Sequence, residues 1–310
     1  MEASQFSKTA LATAFFRAYH VAHDQPLIFE DSQARALLGE ETYAKLARHF
    51  SQSLADFDPQ RAASNPDPAT ALAWCLRAMG APAVILCRAR YAEDCLVRAT
   101  QQGVSQYVIL GAGMDTFALR HPQMSPGLRV LEIDHPATQA YKRQRLAAAG
   151  LAIPEALHFI PVDLAKQSLA KALQGSAYDA QARTFFSWLG VTYYLTRDDV
   201  MTTLGAIAQV APNGSVVVFD YLDTQAQPKG QDDPRRQALK ERVRSVGEPM
   251  RSGLHAGQLA EDLAGLGLRL LEDLAPADLE RLYLAGRADG YRFSQNLHLA
   301  RAEVMDRAGR

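Results

Sequence analysis

Residues 107–116 read YVILGAGMDT, a short apolar run that stops on a Gly-x-Gly turn. Four apolar residues closed by glycine predict a buried strand over 107–110 that feeds a tight turn at Gly111-Ala112-Gly113. Glycine permits such a turn and lets a ligand approach the backbone with no side chain between. The helix expected next would present free N–H groups at its start. The third glycine of the dinucleotide fingerprint is absent, because position 116 is Thr, and Gly-x-Gly also occurs at purely structural strand–helix turns.

Downstream of this turn, short apolar strands alternate with helical spans. Strands are predicted over 128–134 (LRVLEID), 158–164 (HFIPVDL), 184–189 (TFFSWL) and 215–221 (SVVVFDY), with helices over about 137–148 and 197–210. This alternation argues for an α/β fold, a doubly wound parallel sheet covered on both faces. Burial from both sides explains why VVVF is continuous rather than alternating. Two further strands, 268–273 and 296–304, flank a helix predicted over PADLERLYL. Upstream, the first hundred residues read as helical: 7–20 behind a capping Ser7, 31–39 with Asp31 or Ser32 as cap and Gly39 as stop, 41–50, and 70–79. The Pro- and Asp-rich stretch DFDPQRAASNPDP (56–68) is expected to be a loop, and the element best placed to respond to substrate. The change of texture comes near residue 92, where AEDCLVRATQQG leads into the first strand.

Composition bounds the function. The 310 residues are 48% hydrophobic and 22% charged, with 33 Lys and Arg against 34 Asp and Glu for a formal charge of −1. That balance lacks the basic excess that dominates nucleic-acid affinity. Three cysteines, Cys75, Cys87 and Cys95, form neither a C-x-x-C pair nor a disulfide framework. The histidines show no ligand spacing, and His20 and His23 are better read as solvated or capping, so no metal is expected. No window reaches the roughly 18 apolar residues of a membrane span, and the start of the chain lacks a signal-peptide pattern. The expectation is a cytoplasmic protein with no membrane or nucleic-acid partner.

Several residues at the strand ends carry candidate chemistry. Asp134 sits at the tip of the second strand, where an acid can accept ribose hydroxyls; it can equally cap the helix that begins at His135-Pro136. Glu132, on the same strand face, can contribute or be paired internally. Asp163 at the third tip can accept an adenine amine with Leu164 lining the ring, or cap the helix after it. Arg88 and Arg90, ahead of the first strand, can each clamp a carboxylate, or else be surface-paired. The aromatic cluster around Tyr193 and Tyr194 lies at the expected substrate end. Ser187 and Thr192 lack the elbow or triad partners of a nucleophile.

Taken together, QYVILGAGMDTFALR followed by LEIDHPATQAYKRQRL, with RARYAEDCL before them and FIPVDL, FFSWLGVTYYLT, VVVFDY, GEPMRSGL and HLARAEV after, resembles the class I S-adenosylmethionine-dependent methyltransferases. More narrowly, it resembles the leucine carboxyl methyltransferase-like family and its bacterial branch. The resemblance implies a Rossmann-like seven-stranded sheet with its last strand inserted antiparallel. It also implies a helical lid over the acceptor (residues 1–85) ahead of a cofactor-binding core (86–310). On that pattern Arg88, with Arg90 as the alternative, holds the methionine carboxylate of S-adenosylmethionine. Gly111, Ala112 and Gly113 pack against its methionine and ribose, Asp134 takes the ribose hydroxyls, and Asp163 with Leu164 takes the adenine. One departure stands out: relatives often carry an acid where this chain has Leu189.

The activity so implied is methyl transfer, with Tyr193 and Tyr194 shaping the acceptor pocket and a small molecule or carboxylate favoured over a protein as acceptor. Two alternatives share some of these features: a nicotinamide-dependent oxidoreductase, and a cofactor-binding protein without turnover. Nothing in the sequence fixes an oligomeric state.

Overall fold

The structure, a computed structural model, describes residues 6–124, 127–164, 166–225 and 251–306. Residues 247–250 of the GEPMRSGL segment lie outside them. Seven helices come first: α1 (Lys8–His23), α2 (Ala34–Leu38), α3 (Glu40–Gln52), α4 (Leu54–Phe57), α5 (Pro59–Ala62), α6 (Pro68–Met79) and α7 (Ala81–Gln101). The alternating part contains β1 (Gln106–Leu110), α8 (Phe117–Arg120), β2 (Arg129–Asp134), α9 (Pro136–Ala148), β3 (Leu157–Pro161), α10 (Leu169–Gln174), β4 (Thr184–Trp188), α11 (Arg197–Val210) and β5 (Val216–Leu222). It closes with α12 (Ala256–Leu266), β6 (Leu268–Leu274), α13 (Pro276–Tyr283) and β7 (Leu297–Val304).

Local chemistry accounts for the element ends. Ser7 caps α1, its side chain accepting from the Ala10 N–H at 3.1 Å. Asp31 accepts from the N–H groups of Gln33 and Ala34 ahead of α2. The stretch 56–68, expected as a loop, instead carries the end of α4 and the whole of α5. Asp58 supplies the cap by accepting from Arg61 N–H at 3.1 Å, and Pro59 occupies the first turn, where its missing N–H costs nothing. Helix α7 begins at Ala81, well before the change of texture at residue 92, and runs unbroken through 85 and 86. Its separation from α6 rests on Gly80, which holds a left-handed conformation (φ +71°).

The seven strands form one sheet in the order β3-β2-β1-β4-β5-β7-β6. Strands β1 to β5 pair in parallel, and β7 runs antiparallel to both of its neighbours, β5 and β6. The fold is therefore the α/β class I arrangement with an antiparallel seventh strand. Helices cover both faces. On one, Leu86 and Leu96 of α7, Phe117 of α8 and Leu279 of α13 pack on Ile109, Phe185 and Val218. On the other, Leu173 of α10, Leu204 and Ile207 of α11 and Leu259 of α12 pack on Phe186, Val217 and Phe219. Residues 217, 218 and 219 thus send side chains alternately into two cores, which is why the run is apolar throughout. A third core joins α1, α2, α3 and α6 around Phe15 and reaches Met114 and Leu146, so the N-terminal helices sit on the turn after β1.

Phe186 has no exposed surface, so Phe186→Ala leaves a cavity in the sheet–helix interface. Urea denaturation should show a loss of about 3–5 kcal/mol.

Candidate active site

Parallel pairing brings the carboxyl ends of β2, β1, β4 and β5 to one edge, and the turn after β1 is fastened there by backbone bonds. The N–H groups of Gly111 and Ala112 both donate to Ile133 O, at 2.8 and 3.2 Å. Gly113 N–H donates to Asp134 Oδ2, and His135 N–H to Asp134 Oδ1 at 2.6 Å. Gly111 and Gly113 are both left-handed (φ +69° and +54°), and a Cβ on Gly111 would stand 2.5 Å from Val191 Cγ2. Only glycine fits this crossing. Asp134 does not cap α9; His135 does, its ring nitrogen accepting from Ala137 N–H at 3.3 Å. Burial pushes the Asp134 carboxyl above the ordinary aspartate range, and the Gly113 and His135 N–H groups offset part of the rise.

A cavity of about 450 Å³ opens over this turn. It brings together Arg88, Gly111, Ala112, Gly113, Asp134, Leu189 and Tyr194. Helix α1 roofs it with Ser7, Ala10, Thr13 and Arg17. The roof is held down by Ser7 N–H on Thr138 Oγ1 (3.2 Å) and by Phe6 stacked on Tyr141.

The remaining sequence candidates lie elsewhere. Asp163 and Leu164 are outside the lining; β3 ends at Pro161 rather than 164, with Val162 N–H still donating to Asp134 O at 2.8 Å. The Asp163 side chain instead faces Lys166 at 3.0 Å and His135 at 3.9 Å. Arg90 is exposed and paired to Asp94 at 2.9 Å, so of these two arginines it is Arg88 that lines the cavity. Tyr193 is turned away from the lining, its hydroxyl accepting from Arg88 Nη1 at 3.1 Å. Glu132 takes the internal role: it is buried against Lys142 Nζ at 2.5 Å, and burial pushes its carboxyl up while the ammonium opposes the rise.

The structure adds residues that the sequence reading missed. Arg17 Nε donates to Asp31 Oδ2 at 2.7 Å and its Nη2 to Met114 O at 2.7 Å. Arg120 joins the group through Glu93, through Thr116 Oγ1 at 3.0 Å and through Asp31 at 3.5 Å. Burial raises the carboxyls of Asp31 and Glu93, but their cationic neighbours prevail and hold both below their usual ranges. Asp220, at the end of β5, accepts from Arg88 Nη1 at 2.9 Å. An acid at the end of SVVVFDY repeats the signal that singled out Asp134; Arg17, Glu93 and Arg120 carry no such mark. Among the described residues no group of three or more His, Cys, Asp or Glu is placed to hold a metal ion. Among the same residues no single helix is long and apolar enough to cross a membrane.

The sheet order and the glycine turn at its edge define the class I methyltransferases. The comparisons narrow the class. The leucine carboxyl methyltransferase family model matches residues 10–208. A Bacillus subtilis (strain 168) protein, YktD, assigned by its name to the S-adenosyl-L-methionine-dependent methyltransferases, is 36% identical over 97% of this chain and 99% of its own. A Mycobacterium avium (strain 104) protein named for the same activity is 28% identical over 79% of this chain and 74% of its own. A solved DUF574 family protein from Streptomyces avermitilis shares the fold, with a TM-score of 0.58 at 13% identity over 94% of this chain and 97% of that one. The chain belongs to the leucine carboxyl methyltransferase family.

Gly111→Ala would force a side chain into a left-handed residue and against Val191. A stability loss of about 1–2 kcal/mol is expected from the backbone alone, read as a lowered melting temperature.

Proposed function

We propose that the protein methylates an oxygen of a small molecule, a carboxylate or an already ionised hydroxyl, with S-adenosylmethionine as methyl donor. The observation that carries this reading is the placement of Asp134 and Arg88 in one cavity across the Gly111–Gly113 turn. Asp134 ends β2, whereas Arg88 is tied to β5, three inter-strand spacings away, or roughly 14 Å. A carboxylate at one end suits a ribose diol, and a guanidinium at the other suits the carboxylate of an amino acid. Gly111, Ala112 and Gly113 leave the floor between them free of bulk. The donor set therefore fits the cofactor, whose sulfonium supplies an electrophilic methyl: the acceptor oxygen forms the new C–O bond as the C–S bond breaks, and sulfur keeps the electron pair.

The residues of the chain position and shield the reaction. Ser7 with Ala10 and Thr13 of α1 covers the turn and limits the access of water, with Phe29, Ile85 and Tyr194 as apolar wall. Asp31 and Glu93 are committed to Arg17 and Arg120 and held ionised rather than poised to take up a proton. An acceptor that arrives already ionised suits such a site, since it requires no general base. A recessed cavity of about 450 Å³ supports a small molecule rather than a protein as acceptor, and family membership favours methyl transfer over both the nicotinamide and the non-catalytic alternatives. We place Asp163 and Leu164 at the adenine end, just beyond the lining, and Tyr194 on the acceptor side. The division into a helical cover (1–85) and a cofactor-binding core (86–310), with a cytoplasmic setting, completes the reading.

Incubating the protein with methyl-labelled S-adenosylmethionine and fractionated metabolites should yield a labelled small ester or ether; label that enters only protein would overturn the choice of acceptor. S-adenosylhomocysteine should raise the melting temperature, and NAD should not. Asp134→Ala should weaken S-adenosylhomocysteine binding in calorimetry by about 2 kcal/mol, roughly thirty-fold in Kd. The raised carboxyl of Asp134 also sets a pH dependence. The ionised form accepts the hydroxyls, so wild-type affinity falls on acidification at a higher pH than an ordinary aspartate would dictate. Titration calorimetry across pH should lose that part of the profile in Asp134→Asn.

A further inference from the structure

We propose that Asp220 is a positioning residue for cofactor binding, holding the Arg88 guanidinium in the orientation in which the amino-acid end of the ligand docks. The proposal rests on the assignment of the cavity to S-adenosylmethionine. Asp220 is completely buried and outside the cavity lining, so it acts only through its neighbours. One carboxylate oxygen, Oδ2, accepts from Arg88 Nη1 at 2.9 Å; the other, Oδ1, accepts from Gly190 N–H at 2.7 Å. Its backbone carbonyl accepts from the Thr192 hydroxyl. A single residue of β5 thereby bonds both to α7 and to the segment after β4.

The guanidinium is also held by the Tyr193 hydroxyl and packs against Gly190, where any Cβ would collide with it. Both bonds to Asp220 and Tyr193 run from Nη1, on one edge of the planar group. Arg88 also lines the cavity, and a guanidinium has a second edge whose parallel N–H groups match a carboxylate. Arginine carries a long side chain with high rotamer entropy, and anchoring one edge in advance lowers the cost of presenting the other. Charge gives a second reason. Arg88 and Asp220 sum to zero, and the amino-acid end of the ligand is a zwitterion that also sums to zero. Removing the Asp220 charge would leave a buried unpaired cation beside a ligand that brings a sulfonium of the same sign.

A ligand pair separates this role from general support of the fold. S-adenosylhomocysteine carries the amino-acid end, and 5′-methylthioadenosine keeps the adenosine and the thioether without it. Asp220→Asn preserves shape and the acceptor for Gly190 while removing the charge. In the full-length protein it should weaken S-adenosylhomocysteine about ten-fold or more in calorimetry, leaving 5′-methylthioadenosine within about two-fold. Arg88→Ala should show the same split, and the double variant should lose no more than Arg88→Ala alone. Tyr193→Phe removes the other partner of Nη1 and should give a smaller loss of the same kind, which keeps the test available if Asp220→Asn fails to fold. Equal weakening of both ligands, unchanged affinity for S-adenosylhomocysteine, or full additivity with Arg88→Ala would overturn the proposal. Wild-type protein that binds neither ligand would instead overturn the cofactor assignment itself, a result distinct from the others.

Discussion

The backbone bonds between the turn after β1 and the tip of β2 are the constraint on which the site depends. Ile133 O takes two N–H groups, and the Asp134 carboxylate takes Gly113 and His135. A turn fastened in this way cannot shift without breaking several bonds at a water-poor edge, where each lost bond is costly. The roof depends on it as well. Ala10 of α1 approaches so closely that a Cβ on Gly113 would meet its own at 3.0 Å. The floor of the cavity, the Asp134 carboxylate and the cover are therefore fastened to one another.

Several of the charges in and around the cavity are arranged in pairs. Arg17 with Asp31, Arg120 with Glu93 and Arg88 with Asp220 leave each of these three guanidiniums with a carboxylate. Glu132 and Lys142 form a further pair that fastens α9 to β2 behind Asp134, aided by Gln139 on Glu132 O at 3.0 Å. Buried pairs of this kind contribute little net stability once desolvation is counted, but losing one partner is strongly destabilising. Their effect is to hold side chains in one geometry. Selectivity at such a site comes from where the donors and acceptors point rather than from a strong net field.

Much of the fold was legible because its signals are local. The glycine after 107–110, the strand patterns that follow and the caps at Ser7 and Asp31 are read from neighbours in sequence, and the observed elements match them within a few residues. The misreadings arose where tertiary context outweighed composition. Pro59 marks a helix start once Asp58 caps it, although a Pro- and Asp-rich stretch reads as loop. Helix α7 extends back to Ala81 because its apolar face is buried between the sheet and the N-terminal helices, which no change of texture near residue 92 reveals. Within the site, Gly111, Gly113 and Asp134 stood out because strand ends are recognisable. Arg17, Glu93 and Arg120 did not, since an arginine on a helix looks the same whether it faces solvent or a cavity. Asp163 shows the converse: its strand-tip signal is as clear in the sequence, yet its carboxylate faces Lys166 and His135 outside the cavity lining.

The position of β7 has a consequence for assembly. This strand lies between β5 and β6, antiparallel to both, yet follows them in the chain. During synthesis β6 leaves the ribosome before the strand that attaches it to the sheet, and β5 waits with an open, apolar margin. Until β7 inserts, that margin can recruit strands from other molecules. The nascent protein is thus exposed to aggregation between the synthesis of β5 and that of β7, and damage to β7 would be felt first as poor yield of folded protein rather than as weakened chemistry.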